Sequence, residues 1–180
     1  MSRDVESEII VKTETLYTGR KITLRKVSVK LPSGKVLTRD IVNHPGSVAI
    51  LPLLDDDTLV LVEQYRTAAG KTMLEIPAGT MDRDEDPEKC ARRELLEETG
   101  FQAKKMIKIA ECYPSPGYTS EKMHFYIATG LTQKKQNQDE DENITVKTMK
   151  VKQIRRKIGK GEIEDMKTIC SILMLKFNDK

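Results

Sequence analysis

Three glutamates, Glu94, Glu97 and Glu98, stand at i, i+3 and i+4 in a stretch of chain whose flanks mark it as a short helix. At 3.6 residues per turn this spacing stacks their side chains on neighbouring turns of one face. Like charges so placed destabilise a helix by roughly 0.2 to 0.5 kcal/mol per pair, and carboxylates near its C-terminal end oppose the dipole by a comparable amount. A hard divalent cation reverses that sign, because Mg²⁺ takes carboxylate oxygens, keeps several waters and is completed by substrate phosphates. The chemistry within reach is therefore metal-assisted work on phosphate. Arg93, four residues before Glu97, can brace one carboxylate and leave the others free, and Glu85 is its second candidate partner. The competing reading is a solvated acidic helix face, which glutamate spacing alone would favour.

The elements that must position these groups can be read next. Asp86 is a good N-cap, Pro87 suits the first helical position and Gly100 suits a left-handed stop, so the sequence predicts a helix from Pro87 to Thr99. Around it runs a longer pattern: Gly79, five residues, Glu85, seven residues, Arg93-Glu94-Leu95, one residue, Glu97-Glu98, one residue, Gly100 and the apolar Phe101. This pattern resembles a full Nudix box. The joint match, including both glycines, outweighs the solvated-face reading.

Flanking segments resemble one branch of that family, the ADP-ribose pyrophosphatases. Val62-Glu63-Gln64-Tyr65-Arg66 and Leu74-Glu75-Ile76-Pro77-Ala78-Gly79 are similar to the segments that lead into the box there. Ser115-Pro116-Gly117-Tyr118-Thr119-Ser120-Glu121 is similar to the branch's SPG loop, and Gly161 to Thr168 to its last helix. The resemblance implies Glu94, Glu98 and the Ala78 carbonyl as main metal ligands, with Glu97 a further one. It implies that Arg66 contacts the diphosphate and that Arg39 packs on adenine, to which a planar guanidinium is suited. Ser115 and Glu121, in a loop with Pro116 and Gly117, match positions that reach the substrate bound by the partner subunit, so the resemblance makes their role depend on a dimer. Arg93 would serve the catalytic centre as support, while Gly79, Glu85 and Gly100 shape the motif. The cofactor implied is Mg²⁺, with Mn²⁺ as an alternative, at two or three ions per site.

The general base in this family comes from a mobile acidic loop, which Gln133 to Asn143 fits. By composition alone that segment is a polar surface connection. If Ile144 begins the next strand, Glu140 and Glu142 align with the two loop acids. Glu140 is taken as base and Glu142 as a third-metal or substrate-side ligand, with the reverse assignment left open.

Strand signals recur at Val48 to Leu54, Thr58 to Gln64, Met106 to Glu111, Met123 to Thr129 and Ile144 to Val151, and Asp55-Asp56-Asp57 reads as a hairpin turn. Helical periodicity returns at Val151, Ile154 and Ile158, and again at Ile163, Met166, Ile169, Cys170, Leu173 and Phe177. The expected fold is α/β of the mixed α+β kind, an α/β/α sandwich around a mixed sheet, preceded by an antiparallel β arm. Lys21 to Val42 reads as two strands joined at Pro32-Ser33-Gly34-Lys35. The domain expectation is residues 1–43 as arm and 44–180 as the Nudix domain. An isolated hairpin is marginal in water, and the resemblance implies that the arm crosses over in a homodimer.

A net charge of +3 with 33% charged residues describes a mixed surface and argues against nucleic acid as partner. Cys90, Cys112 and Cys170 lack metal-type spacing and read as reduced thiols, and the isolated His44 and His124 support neither a zinc site nor a triad. With no apolar stretch of spanning length after the polar start, the expectation is a cytoplasmic protein without membrane contact. The expected activity is hydrolysis of ADP-ribose to AMP and ribose 5-phosphate. The alternatives are another nucleotide sugar such as GDP-mannose, or a nucleotide-sensing module that does not cleave.

Overall fold

The computed structural model describes residues 7–134 and 143–175, which fall into two compact units. One comprises the chain up to Gly46 together with Cys112–Lys122, and the other comprises Ser47–Glu111 together with the chain from Met123 onward.

The first unit is an antiparallel sheet of order β1-β2-β3, built from β1 (Ile9–Thr18), β2 (Thr23–Lys30) and β3 (Val36–Asn43). The turn at Pro32 to Lys35 closes as the sequence predicts: Gly34 N donates to the Leu31 carbonyl at 2.8 Å, and Gly34 takes a φ of 84° that suits glycine. β1 was not foreseen as a strand. It pairs with β2 from Ile9 opposite Lys30 to Thr18 opposite Thr23, with two irregularities in register. Val27 and Val29 of β2 are buried, whereas β1 is exposed along its whole length. The loop after Cys112 joins this unit through Val42, whose N–H donates to Tyr118 O at 2.8 Å and whose carbonyl accepts from Ser120 N at 3.0 Å.

The second unit holds β4 (Ser47–Pro52), β5 (Thr58–Arg66), β6 (Lys71–Glu75), β7 (Ala78–Thr80), α1 (Pro87–Thr99), β8 (Phe101–Cys112), β9 (Met123–Gln133), β10 (Ile144–Lys150), α2 (Val151–Gly159) and α3 (Met166–Met174). Its strands form a mixed sheet of order β7-β4-β9-β8 and an antiparallel sheet of order β10-β5-β6. This is the mixed α+β class expected, with two refinements. β6 and β7 are short additional strands. The Asp55 to Asp57 turn is closed by an antiparallel bridge between Leu53 and Leu59 and by Leu54 N–H on the Thr58 carbonyl at 2.9 Å, but the strands it joins, β4 and β5, go on into different sheets. Asp55 still shapes the turn, accepting from Asp57 N at 2.9 Å and from the Thr58 hydroxyl at 2.7 Å.

β4 is buried at every position, as befits a strand paired on both sides beneath a helix. Val48 and Ile50 meet Cys90, Ala91 and Leu95 of α1, and Tyr126 and Ala128 of β9 complete that core. α1 also contacts β5 and β10, so one helix touches both sheets.

Candidate active site

The helix that carries the three glutamates has the bounds its caps dictate. Asp86 Oδ1 accepts from Lys89 N at 3.0 Å, Pro87 opens the first turn, and Gly100 closes the helix at φ 72° with its N–H on the Leu96 carbonyl at 2.9 Å. Phe101 then starts β8 directly.

The buried side of α1 consists of Cys90, Ala91, Glu94, Leu95, Glu98 and Thr99. Apolar Ala91 and Leu95 anchor the helix to the core, and the same rotation carries Glu94 and Glu98 inward, to 8% and 2% exposure. Burying carboxylates is costly unless they find donors or a cation. Glu98 finds one in the backbone, where Ala78 N donates to its Oε2 at 3.0 Å. Glu94 lies against the next residue so closely that a Cβ added to Gly79 would fall 1.9 Å from its carboxyl carbon. Glycine is thus required at position 79 by the room the glutamate occupies; its φ does not lie in the left-handed region. β7 and α1 together bring Ala78, Gly79, Glu94 and Glu98 to one place.

Glu97 stands on the flank of the helix, half-buried, and its Oε2 accepts from Arg93 Nη1 at 2.9 Å. The same Nη1 donates to Glu94 Oε1 at 2.8 Å, while Nε and Nη2 of Arg93 reach the two oxygens of Glu85, each at 3.1 Å. Of these partners the sequence suggests Glu97 by spacing and Glu85 as a second candidate; the contact to Glu94 is the one it does not, and it makes three carboxylates on one arginine. Glu85 in turn accepts from Asp82 N at 2.9 Å, which ties the preceding loop to the helix. Hydrogen bonding from Arg93 pulls the Glu85 carboxyl down to about 2 and pushes the arginine above its ordinary value. Burial, with Glu85 nearby, pushes the Cys90 thiol well up, so this cysteine is a packing residue.

Arg66 ends β5 and makes a two-pronged contact with Glu75 at the end of β6, Nε to Oε1 at 2.9 Å and Nη2 to Oε2 at 2.7 Å. Glu75 is 1% exposed. Burial would raise its pKa, but hydrogen bonds and charge from Arg66 and Lys167 prevail and hold it below the ordinary value. Arg66 is correspondingly raised, first by its hydrogen bonds to Glu75 and also by the charge of Glu98.

The other residues predicted to touch substrate lie in the first unit. Arg39, in β3, pairs with Glu8 at 2.7 Å with both side chains well exposed. The segment carrying Ser115, Pro116 and Gly117 forms a tight turn, with the Ser115 carbonyl accepting from Tyr118 N at 3.2 Å and Thr119 N at 3.1 Å. Glu121 N is fixed on the Thr119 hydroxyl at 3.1 Å. Glu140 and Glu142 lie outside the described residues.

Among the described residues no group of three His, Cys, Asp or Glu side chains is preassembled as a metal cage. The donor set that exists is of hard oxygen, two buried carboxylates beside the β7 backbone, which suits a cation that leaves coordination positions to water and phosphate.

A NUDIX domain model matches residues 43–170, well over half of the chain. This chain belongs to the NUDIX domain family. Over 179 residues the Nudix chain is 37% identical to the ADP-ribose pyrophosphatase of Bacillus subtilis (strain 168), covering 98% of this chain and 96% of that protein. It is also 37% identical over 175 residues to the methanol dehydrogenase activator of Bacillus methanolicus, covering 96% and 94% respectively. A solved structure described as an ADP compounds hydrolase superposes with a TM-score of 0.84 at 22% identity, over 97% of this chain and 95% of that one, so the two chains share a fold.

Glu75, Asp165, Lys167 and Thr168 lie within the segments of resemblance, but no motif or spacing in the sequence assigns them a role. The structure joins them in one buried polar cluster next to Arg66. Only Asp165 carries a local signal, as an N-cap three residues ahead of Thr168.

Proposed function

We propose that this Nudix domain hydrolyses the diphosphate linkage of ADP-ribose, giving AMP and ribose 5-phosphate. The observation that carries the reading is the placement of Glu94 and Glu98, buried against Ala78 and Gly79, with Arg66 near enough for its charge and that of Glu98 to interact. The name of the Bacillus subtilis relative, shared over nearly the full length of both chains, supports ADP-ribose as the substrate.

Glu94, Glu98 and the Ala78 carbonyl would hold Mg²⁺, or Mn²⁺ in its place, with Glu97 and Glu142 as further ligands where two or three ions bind. Bound there, the metal supplies Lewis acidity at phosphate oxygens and a more acidic water. The chain contributes the rest. Arg66 offers the edge of its guanidinium that Glu75 leaves free to the diphosphate. Arg93 and Glu85 hold Glu94 and Glu97 in fixed rotamers, so the carboxylates need no rearrangement when substrate arrives. Water adds to one phosphorus, the bridging P–O bond breaks, and Glu140 or Glu142 takes the water proton. Through the resemblance, Arg39 is assigned to adenine, and Ser115 and Glu121, with Pro116 and Gly117 in their loop, to the substrate held by the partner subunit of a dimer.

The arm is read as a dimerisation element. Ile9, Ile10, Val11, Leu16 and Tyr17 of β1 are large apolar residues between 49% and 64% exposed, more than a soluble strand needs to show water. A second copy of the chain, with arms exchanged, covers them. Cytoplasmic residence accords with reduced thiols, of which the described residues hold three.

The test is a substrate panel in Mg²⁺, with ADP-ribose, ADP-glucose, GDP-mannose, NADH and a nucleoside triphosphate, followed by chromatography of the products. AMP and ribose 5-phosphate formed fastest from ADP-ribose is the expected outcome; preference for GDP-mannose discards the ADP-ribose assignment, and saturable binding without cleavage discards hydrolysis. Glu98→Gln is the companion control. An amide can still accept from Ala78 N, so the fold should survive while turnover falls roughly 10- to 100-fold or more.

A further inference from the structure

α3 turns an unexpected face inward. Its buried residues are Lys167, Thr168, Ser171 and Ile172, whereas the apolar Met166 and Leu173 are 42% and 53% exposed. Lys167 is 9% exposed, and burying an ammonium is tolerated only where anions meet it. Two do. Its Nζ donates to Glu75 Oε2, and to Asp165 Oδ1 at 2.9 Å. Asp165 is itself fixed as the N-cap of α3, its other oxygen accepting from Thr168 N at 2.9 Å and from the Thr168 hydroxyl. Thr168 Oγ1 also accepts from Ile76 N at 2.9 Å, in the residue after Glu75. The first turn of α3 therefore grips the end of β6 from two sides, the Glu75 carboxylate and the Ile76 amide, across 92 residues of sequence.

Glu75 has two cations on it, one buried and one that leads outward. Lys167 fixes the carboxylate from behind, and Arg66 takes both of its oxygens from the front through Nε and Nη2. With Asp165 balancing Lys167, the four charges sum to zero while Arg66, 38% exposed, is the one that reaches water. Isolated buried ion pairs contribute little net stability over apolar packing. What such a chain does supply is direction, since each member fixes the rotamer of the next.

We propose that Lys167 and Asp165 are positioning residues for substrate binding, acting through Glu75 to set the orientation of the Arg66 guanidinium. The proposal rests on the reading of Arg66 as the diphosphate contact. Lys167 and Asp165 touch no reacting group; they hold the arginine that does, so they govern substrate affinity more than the chemical step.

The experiment compares the full-length protein with Lys167→Met and Asp165→Asn. Asparagine caps a helix about as well as aspartate, so the second variant keeps α3 capped while removing the charge that faces Lys167, and it serves if the first does not fold. Two readouts are taken: KM and kcat for ADP-ribose in saturating Mg²⁺, and the solvent exchange of the Arg66 Nε–H, resolved in ¹⁵N-labelled protein and assigned by its loss in Arg66→Lys. The expected result for Lys167→Met is a KM about tenfold higher with kcat within about threefold, and Arg66 Nε–H exchange faster by about tenfold, with the same directions and smaller size for Asp165→Asn. Unchanged Arg66 exchange in both variants overturns the positioning role, whatever happens to KM. Faster exchange with unchanged KM, or a loss confined to kcat, overturns the link to substrate affinity. If the unaltered protein cleaves no ADP-ribose, the substrate reading fails alone, and the Arg66 exchange still decides whether Lys167 and Asp165 position the arginine.

Discussion

Gly79 shows how a single residue can be fixed by something other than its own backbone. Its neighbour in space is the Glu94 carboxyl, and any side chain would have to displace it. Gly79→Ala should therefore cost about 1 to 3 kcal/mol of stability by overpacking. Activity should fall much further, roughly 100-fold, because the displaced group is one of the two carboxylates proposed to hold the metal. Denaturant melts and kcat/KM measured side by side check the disparity; equal small losses in both would mean that Glu94 has room to move. Glu85 gives a prediction in pH. Its carboxyl is depressed from 4.5 to about 2 by Arg93, so its contribution to stability is complete above pH 4.5 and is lost as pH falls toward 2. The stability gap between the native chain and Glu85→Gln should accordingly be widest near neutrality and close across that window. A gap that does not change with pH would show that the Glu85 charge adds nothing.

At the scale of elements, α1 and α3 make a contrast. Every determinant of α1 is local: an N-cap, a proline in the first turn, a C-terminal glycine, and an inward stripe on which Ala91 and Leu95 alternate with Glu94 and Glu98. Its bounds were legible in the sequence for that reason. α3 was legible as a helix but not in its orientation. Periodicity of Met166, Ile169, Cys170 and Leu173 suggested an apolar face turned inward, yet the buried face is the one with Lys167, Thr168 and Ser171, and the helix starts only at Met166, after Ile163. A sequence window cannot foresee this, because the groups that repay the burial of Lys167 include Glu75, far away in the chain. Thr168→Val tests how far the helix depends on such partners. Valine keeps the volume but leaves the buried Ile76 N–H without its acceptor, a loss of about 1 to 3 kcal/mol in equilibrium unfolding. A loss below about 0.5 kcal/mol would mean that this amide finds water or another oxygen.

For the whole molecule, the arm decides what must be measured. β1 carries a run of large apolar residues exposed on the outer strand of a three-stranded sheet, and contiguous exposed apolar surface of that kind marks an interaction face. Light scattering should give twice the chain mass of 20.5 kDa, and removal of residues 1–18 should yield monomers of low activity. A monomeric mass with full activity would sink the exchanged-arm dimer. The sequence by itself determined the box helix, the turn at Gly34, most strand positions and the class of chemistry, because caps, turn residues and short-range periodicity are local quantities. It also placed Arg93 beside Glu97, four residues on. Only the tertiary structure decided that β4 and β5 part into different sheets, that Arg93 gathers three carboxylates, that Glu94 fills the space a side chain at position 79 would take, and that Lys167 meets Glu75. Each of these depends on which distant backbone passes within hydrogen-bonding range, and that is settled by the packing of strands and helices around a shared core rather than by any one segment's preferences.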